Sequence, residues 1–234
     1  VAGLAVIKDK EELAALTEAV RITDRVFEEI KNDLKPGAIE REVAARLAYL
    51  IRHYGSEGDG FDPVVASGRR GALPHARPSG KSLDPGDFVV LDFGARYGGY
   101  HADMTRTVCI AEATDKHYEV YNTVLEAQRL GIAAARASVP ASQVDAACRD
   151  YITEKGYGEY FPHSTGHGVG LEVHTPPRLS RESNDTLEAN MVVTIEPGIY
   201  LPDWGGVRIE DDVLIGKDEG VPLNQATKEL LVFS

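Results

Sequence analysis

Apolar residues recur at helical spacing in four stretches of this chain and run almost unbroken in two others. In residues 10–34, Leu13, Leu16, Val20, Ile22, Val26, Phe27 and Ile30 give an apolar face, and Pro36-Gly37 ends the pattern, which predicts a helix. Residues 38–53 predict a second helix that closes before Gly55. Residues 114–136 predict a third, and residues 141–155 a fourth that opens after Pro140 and ends at Gly156. The unbroken runs are Phe88-Val89-Val90-Leu91, which leads into Asp92, and Met191, Val192, Val193 and Ile195, which lead into Glu196. Such runs suit strands buried on both faces. Each continues through a turn to a second strand, so FVVLDFGARYGGYHADMTRT and MVVTIEPGIYLPDWGGVRIEDDVLI each predict a hairpin.

The order of elements repeats. Pro36 and Pro140 each precede a helix and lie 104 positions apart; Asp92 and Glu196 have the same separation, and LDPGDFVVLD aligns with LEANMVVTIE without a gap. This predicts two similar halves meeting at a shared site. The expected fold class is α+β: a curved antiparallel sheet covered by helices on one side. No linker-like tract divides the chain, so a single domain over residues 1–234 is expected.

Each hairpin carries a pair of acids. Opposed residues in a hairpin have position numbers with a constant sum. A turn centred on Tyr97-Gly98 sets that sum at 195 and places Asp92 opposite Asp103; a Gly98-Gly99 turn sets it at 197 and misaligns them. In the second hairpin a loop centred on Asp203 gives 406 and places Glu196 opposite Glu210. Like charges so placed repel, and buried carboxylates must neutralise or find partners. A pair of bound cations would satisfy four acids at once. The alternative is that each acid pairs with an arginine, Arg96, Arg106 and Arg208 being near in sequence.

Four of the seven histidines lie in telling places. His163 and His167 sit in HSTGHGVG, where glycines argue against a helical zinc motif and leave the imidazole unobstructed; His174 follows in LEVHTPP, and His75 lies in the turn-rich GALPHARPS. One histidine with four carboxylates gives five ligands for two divalent ions. So hard a donor set favours Mn2+, Co2+ or Fe2+, with Zn2+ also possible, over a structural zinc site. Such a centre activates water for hydrolysis. No GxSxG elbow, Walker loop or strand-borne GxGxxG competes with it.

Composition narrows this further. The net charge of −12, from 25 basic and 37 acidic residues, argues against nucleic acid as a partner. No apolar run reaches the length of a membrane span, so no membrane role is expected. Cys109 and Cys148, without motif spacing, are expected as buried thiols in a reducing compartment, the cytoplasm. The chain starts at Val1 rather than Met, which implies processing or a longer parent.

The segments ASGRRGALPHARPS, VVLDFGARYGGYHADMTRT, HSTGHGVGLEVHTPP, TIEPGIY and GVRIEDDVLI, spread over most of residues 60–215, resemble the pita-bread metallopeptidases in order and spacing. That resemblance implies a pita-bread fold and two divalent metals held by Asp92, Asp103, His167, Glu196 and Glu210, with Asp103 and Glu210 bridging. It further implies that His75 and His174 contact the scissile carbonyl or the tetrahedral intermediate, that His163 lines the substrate pocket, and that Glu196 also shuttles a proton. Arg208 is a candidate substrate-binding residue, with bracing of the acids the alternative it shares with Arg106. SGxxxALPH and DMTRT are similar to the Xaa-Pro peptidases, prolidase and aminopeptidase P, which implies proline-containing peptides as substrates and a possible homodimer. A methionine-aminopeptidase type and a non-catalytic metal- or peptide-binding module of this fold are the alternatives. The additional N-terminal domain usual in Xaa-Pro peptidases has no counterpart here; VAGLAVIKDKEEL resembles the junction leading out of it.

Overall fold

Asp9 opens the first helix. Its carboxylate accepts the backbone N–H groups of Glu11 and Glu12, and Glu12 reaches back to the N–H of Asp9, so the first turn satisfies itself. In this computed structural model, which describes residues 5–234, helix α1 runs over Lys10–Ile30 and buries Leu16, Val20, Val26 and Phe27. Residues 1–4 of the segment expected as a junction lie outside the described residues. Helix α2 (Glu40–His53) follows, then strands β1 (Val64–Ser67), β2 (Phe88–Phe93), β3 (Arg96–Tyr97), β4 (Tyr100–His101) and β5 (Met104–Ile110). The plan then recurs. Helices α3 (Asp115–Ala134) and α4 (Ala141–Glu154) precede β6 (Gly166–Gly168), β7 (Thr175–Leu179), β8 (Val192–Ile195), β9 (Gly198–Leu201), β10 (Gly205–Arg208) and β11 (Asp211–Ile215), with β12 (Gly220–Pro222) and β13 (Val232–Phe233) last. The four expected helices are all present, with ends shifted by a few residues.

The repeat extends to strand order. One large sheet is ordered β1-β2-β5-β13 and a second β12-β11-β8-β6-β7, while β3-β4 and β9-β10 form two-stranded sheets of their own. Read from the matching edge, β6-β8-β11 repeats β1-β2-β5; the fourth strands differ in direction, and β7 is an addition. The expected antiparallel pairing holds throughout except at one edge, where β13 runs parallel to β5. Helices α1 and α2 cover Val65, Leu91 and Phe93 of the first sheet; α3 and α4 cover Val193, Ile195 and Val213 of the second. A Cβ at Gly131 of α3 would come within 2.5 Å of Cys148 Sγ on α4 and 2.9 Å of Ile195 on β8, so glycine there permits the close helix-on-sheet approach. Both cysteines are buried and unpaired.

The register of the first hairpin corrects the sequence expectation. Asp92 pairs with Thr105 and Tyr97 with Tyr100, so the sum is 197 and the turn is Gly98-Gly99. A two-residue hairpin turn of this hand needs positive φ at both central residues. Gly98 at +58° and Gly99 at +81° supply both without steric cost, whereas Tyr97 carries a Cβ. Asp103 thus lies diagonally from Asp92 instead of opposite it. The slip is two residues, so both acids stay on one face. The second hairpin keeps the expected register: Ile195 pairs with Asp211 and Gly198 with Arg208, which leaves Glu196 opposite Glu210. The two hairpins meet across the molecular centre, where Glu210 N–H donates to Thr105 C=O and Thr107 Oγ1 to Arg208 C=O.

Candidate metal centre

Three of the acids sit just outside paired strand residues, and Asp92 is still paired. Asp92 is near the end of β2, Asp103 immediately precedes β5, Glu196 fills the break between β8 and β9, and Glu210 that between β10 and β11. His167 is the middle residue of β6, whose backbone packs so closely on β8 that a Cβ at Gly166 would lie 1.9 Å from Thr194 O. Ligand atoms of Asp103, His167 and Glu210 fall within 4.8 Å of one another. His167 Nε2 is 3.4 Å from Glu196 Oε1 and 3.7 Å from Asp103 Oδ2.

Arginine pairing does not account for these acids. Arg106 is bound to Asp211 at 2.7 Å and Arg96 lies 3.6 Å from Glu57. Arg208 alone reaches the group, with Nη2 2.5 Å from Asp92 Oδ2. Burial, then repulsion from Glu210, Asp92 and Glu196, raises the Asp103 carboxyl well above its ordinary range. Burial and the Glu210 charge do the same to Glu196, and burial with the Asp92 charge pushes Glu210 up to about 8. Asp92 Oδ1 is buried without any hydrogen-bond partner. Oxygen-rich, acidic and short of positive charge, with one imidazole whose pKa burial lowers to about 4, the group fits hard divalent cations.

A ring of further side chains fixes the acids. Thr105 Oγ1 donates to Glu210 Oε2 at 2.6 Å and accepts from Arg208 Nε at 3.0 Å. Thr194 Oγ1 donates to Glu196 Oε1 at 3.2 Å, and Asp103 N–H donates to the buried Asp212 Oδ2 at 2.9 Å. Arg208 also donates to Tyr200 Oη at 2.8 Å and Pro74 C=O at 3.3 Å. Tyr200 Oη lies 2.8 Å from His163 Nε2, and His163 Nδ1 lies 2.8 Å from Ser164 C=O. A relay Arg208 to Tyr200 to His163 satisfies every partner when His163 is neutral with its proton on Nδ1. Burial, followed by the Arg208 charge, holds the His163 pKa down at about 3. The relay rests on a firm base: Asp145 on α4 grips Arg149 and Thr165, and Arg149 donates to the carbonyls of Phe161 and His163.

All nine residues singled out in the sequence line one cavity of about 930 Å³: His75, Asp92, Asp103, His163, His167, His174, Glu196, Arg208 and Glu210. The His167 and His174 rings are 4.3 Å apart. Phe61, Val64 and Val173 supply apolar wall, and Asp62, Arg77 and Arg178 supply charge. Thr105, Thr194 and Tyr200 escaped the sequence reading. Strand alternation points to all three: Thr105 is two residues from Asp103, Thr194 two from Glu196, and Tyr200 four from Glu196, so each shares a face with an acid.

A model of metallopeptidase family M24 matches residues 14–217. An Xaa-Pro dipeptidase of Pyrococcus furiosus is 45% identical over 97% of this chain and 66% of its own length. An uncharacterized peptidase of Bacillus subtilis is 47% identical over 98% of this chain and 65% of its own. The chain therefore spans just under two thirds of these curated relatives. Among solved structures, an Xaa-Pro dipeptidase from Bacillus anthracis superposes with a TM-score of 0.97 at 48% identity, covering 99% of this chain and 65% of that one. An X-Pro aminopeptidase from Thermotoga maritima gives 0.96 at 43%, covering 99% and 66%.

Proposed function

The chain belongs to metallopeptidase family M24 and has its pita-bread fold, and from that premise we propose that it is the catalytic domain of a two-metal exopeptidase acting on Xaa-Pro substrates. The observation that carries this reading is the set of acids around His167, three of them without an arginine or lysine ion pair. Asp92, Asp103, His167, Glu196 and Glu210 would hold the ions. When bound, the ions polarise the scissile carbonyl and make water a nucleophile near neutral pH. Mn2+ is the ion we favour, from the preponderance of carboxylate ligands.

The remaining chemistry belongs to side chains of the cavity. His75 and His174 donate to the carbonyl oxygen as negative charge gathers on it. Glu196, at the edge of the group beside His167, takes the proton lost by the attacking water. It delivers that proton to the proline nitrogen, which as a tertiary amide carries no hydrogen and cannot leave unprotonated. Arg208 is a positioning residue: its donors are taken up by Asp92, Thr105, Tyr200 and Pro74 of this chain. His163 lines the substrate pocket as a neutral acceptor.

The substrates are dipeptides or longer peptides with proline second, as the names of the relatives suggest for those proteins. A homodimer in the cytoplasm completes the proposal, with buried thiols at Cys109 and Cys148 in support. No helix among the described residues is long and apolar enough to cross a membrane. The test is hydrolysis of Ala-Pro, of a longer Xaa-Pro peptide and of a Met-Ala peptide, each with Mn2+ and with chelator, alongside metal content of Asp103→Ala and Glu210→Ala. Metal-dependent Xaa-Pro cleavage, lost with metal in both variants, is expected. Cleavage of Met-Ala instead would replace the reading by the methionine type, and bound metal without any hydrolysis by the non-catalytic module.

A further inference from the structure

His75 is the one proposed catalytic histidine on a long loop between sheet strands, and its ring makes no hydrogen bond among the described residues. Where the ring sits therefore depends on how the loop is held. Its two ends converge on a single side chain, Glu40, in the first turn of α2. Glu40 Oε1 accepts from Ser67 N at 2.8 Å and Ser67 Oγ at 2.9 Å. Oε2 accepts from Ser79 N at 3.0 Å, Ser79 Oγ at 2.6 Å and Arg70 Nε at 3.0 Å. Arg70 in turn donates to Arg77 C=O at 2.5 Å, bracing the loop from inside.

Glu40 is fully buried, with both oxygens saturated by residues 27 to 39 positions away. Burial would raise its pKa, but the hydrogen bonds from Ser79 and Ser67 outweigh burial and hold it below the ordinary value. The second half uses the same device: Asp145 on α4, with Arg149, clasps the segment that carries His163. In both halves a buried acid on the helix fixes the backbone of a cavity histidine; the His163 ring is held by Tyr200 and Ser164 as well.

We propose that Glu40 is a positioning residue for catalysis: by clamping Ser67 to Ser79 it sets His75 at the distance from the scissile carbonyl that the reaction needs. This rests on the role given to His75 under the proposed function. A misplacement of about 1 Å can cost on the order of 100-fold in rate. In the full metal-loaded chain, Glu40→Ala should lower kcat on an Xaa-Pro dipeptide by roughly that factor. KM and the metal-to-protein ratio should stay unchanged.

Two further readouts separate positioning from general damage. Amide hydrogen exchange should quicken at Ser67, at Ser79 and in the residues between, and at no other residue of the sheets. In a His75→Ala background, Glu40→Ala should cost little more, because the group it positions is gone. Equal losses in both backgrounds, or exchange quickened across the whole chain, would overturn the proposal. An inactive His75→Ala beside a fully active Glu40→Ala removes Glu40 alone; an active His75→Ala removes the His75 role on which both readings stand. If Glu40→Ala does not fold, Ser79→Ala cuts one of the same bonds; a kcat loss of about fivefold, absent in the His75→Ala background, supports the clamp, and no loss overturns it.

Discussion

Removing the metal should turn the stability of this chain against alkaline pH. In the metal-free chain, burial and then mutual repulsion raise the pKa values of Asp103, Glu196 and Glu210, the last to about 8. In the unfolded chain these carboxyls titrate near 4. Between pH 7 and 8 the folded chain therefore keeps part of the Glu210 proton that the unfolded chain has released, and folding loses at most about 1.4 kcal/mol per pH unit for that group. Glu210 gives up its proton across this window and contributes about 1 kcal/mol, which for a chain of this length is about 2–4 °C in Tm. Asp103 and Glu196 act in the same direction, so this is a floor. His163 and Lys8, with pKa values lowered by burial to about 3 and about 8, act oppositely but are common to both forms and cancel in the difference. The lowered His167 costs stability as pH falls below about 6.5, outside the window. Saturating divalent metal holds the carboxylates ionised and removes the penalty. Calorimetric unfolding at pH 7, 7.5 and 8, with chelator and with metal, should show the gap between the two forms widening with pH. A gap that stays constant or narrows would refute the claim that these acids are held protonated without metal.

Two other outcomes test the supports of the site. Thr105→Val removes the 2.6 Å bond to Glu210 and leaves Arg208 Nε without its acceptor, so metal affinity measured by chelator competition should fall about 10–100-fold; a change under twofold would contradict this. Gly166→Ala drives a Cβ into Thr194 O on the strand beside His167, and should cost about 1–3 kcal/mol in denaturant unfolding while reducing metal content; an unchanged midpoint would refute the close approach.

What the residue order determined is what lies within a few turns of chain. Helical and alternating periodicities depend on neighbours three, four or two positions away, so four helices, two hairpins and the acid at each strand end were legible. The internal repeat was legible too, because Asp92 and Glu196 sit in runs that align without a gap. Even the local level failed where two turns competed. Tyr97-Gly98 and Gly98-Gly99 both looked possible, and only the backbone, with positive φ at both glycines, chose the register that moves Asp103 diagonal to Asp92. Everything that joins the halves belonged to tertiary structure. Arg208 found Asp92 across 116 positions and Thr105 found Glu210 across 105, while Arg106, equally near the acids in sequence, went to Asp211. Sequence distance cannot rank such partners, because the packing of one sheet against the other sets which side chains arrive within 3 Å. That same packing brings four carboxylates to one cavity with Arg208 as their arginine partner, so a row of carboxylates in the sequence becomes a place for cations only once the chain has folded.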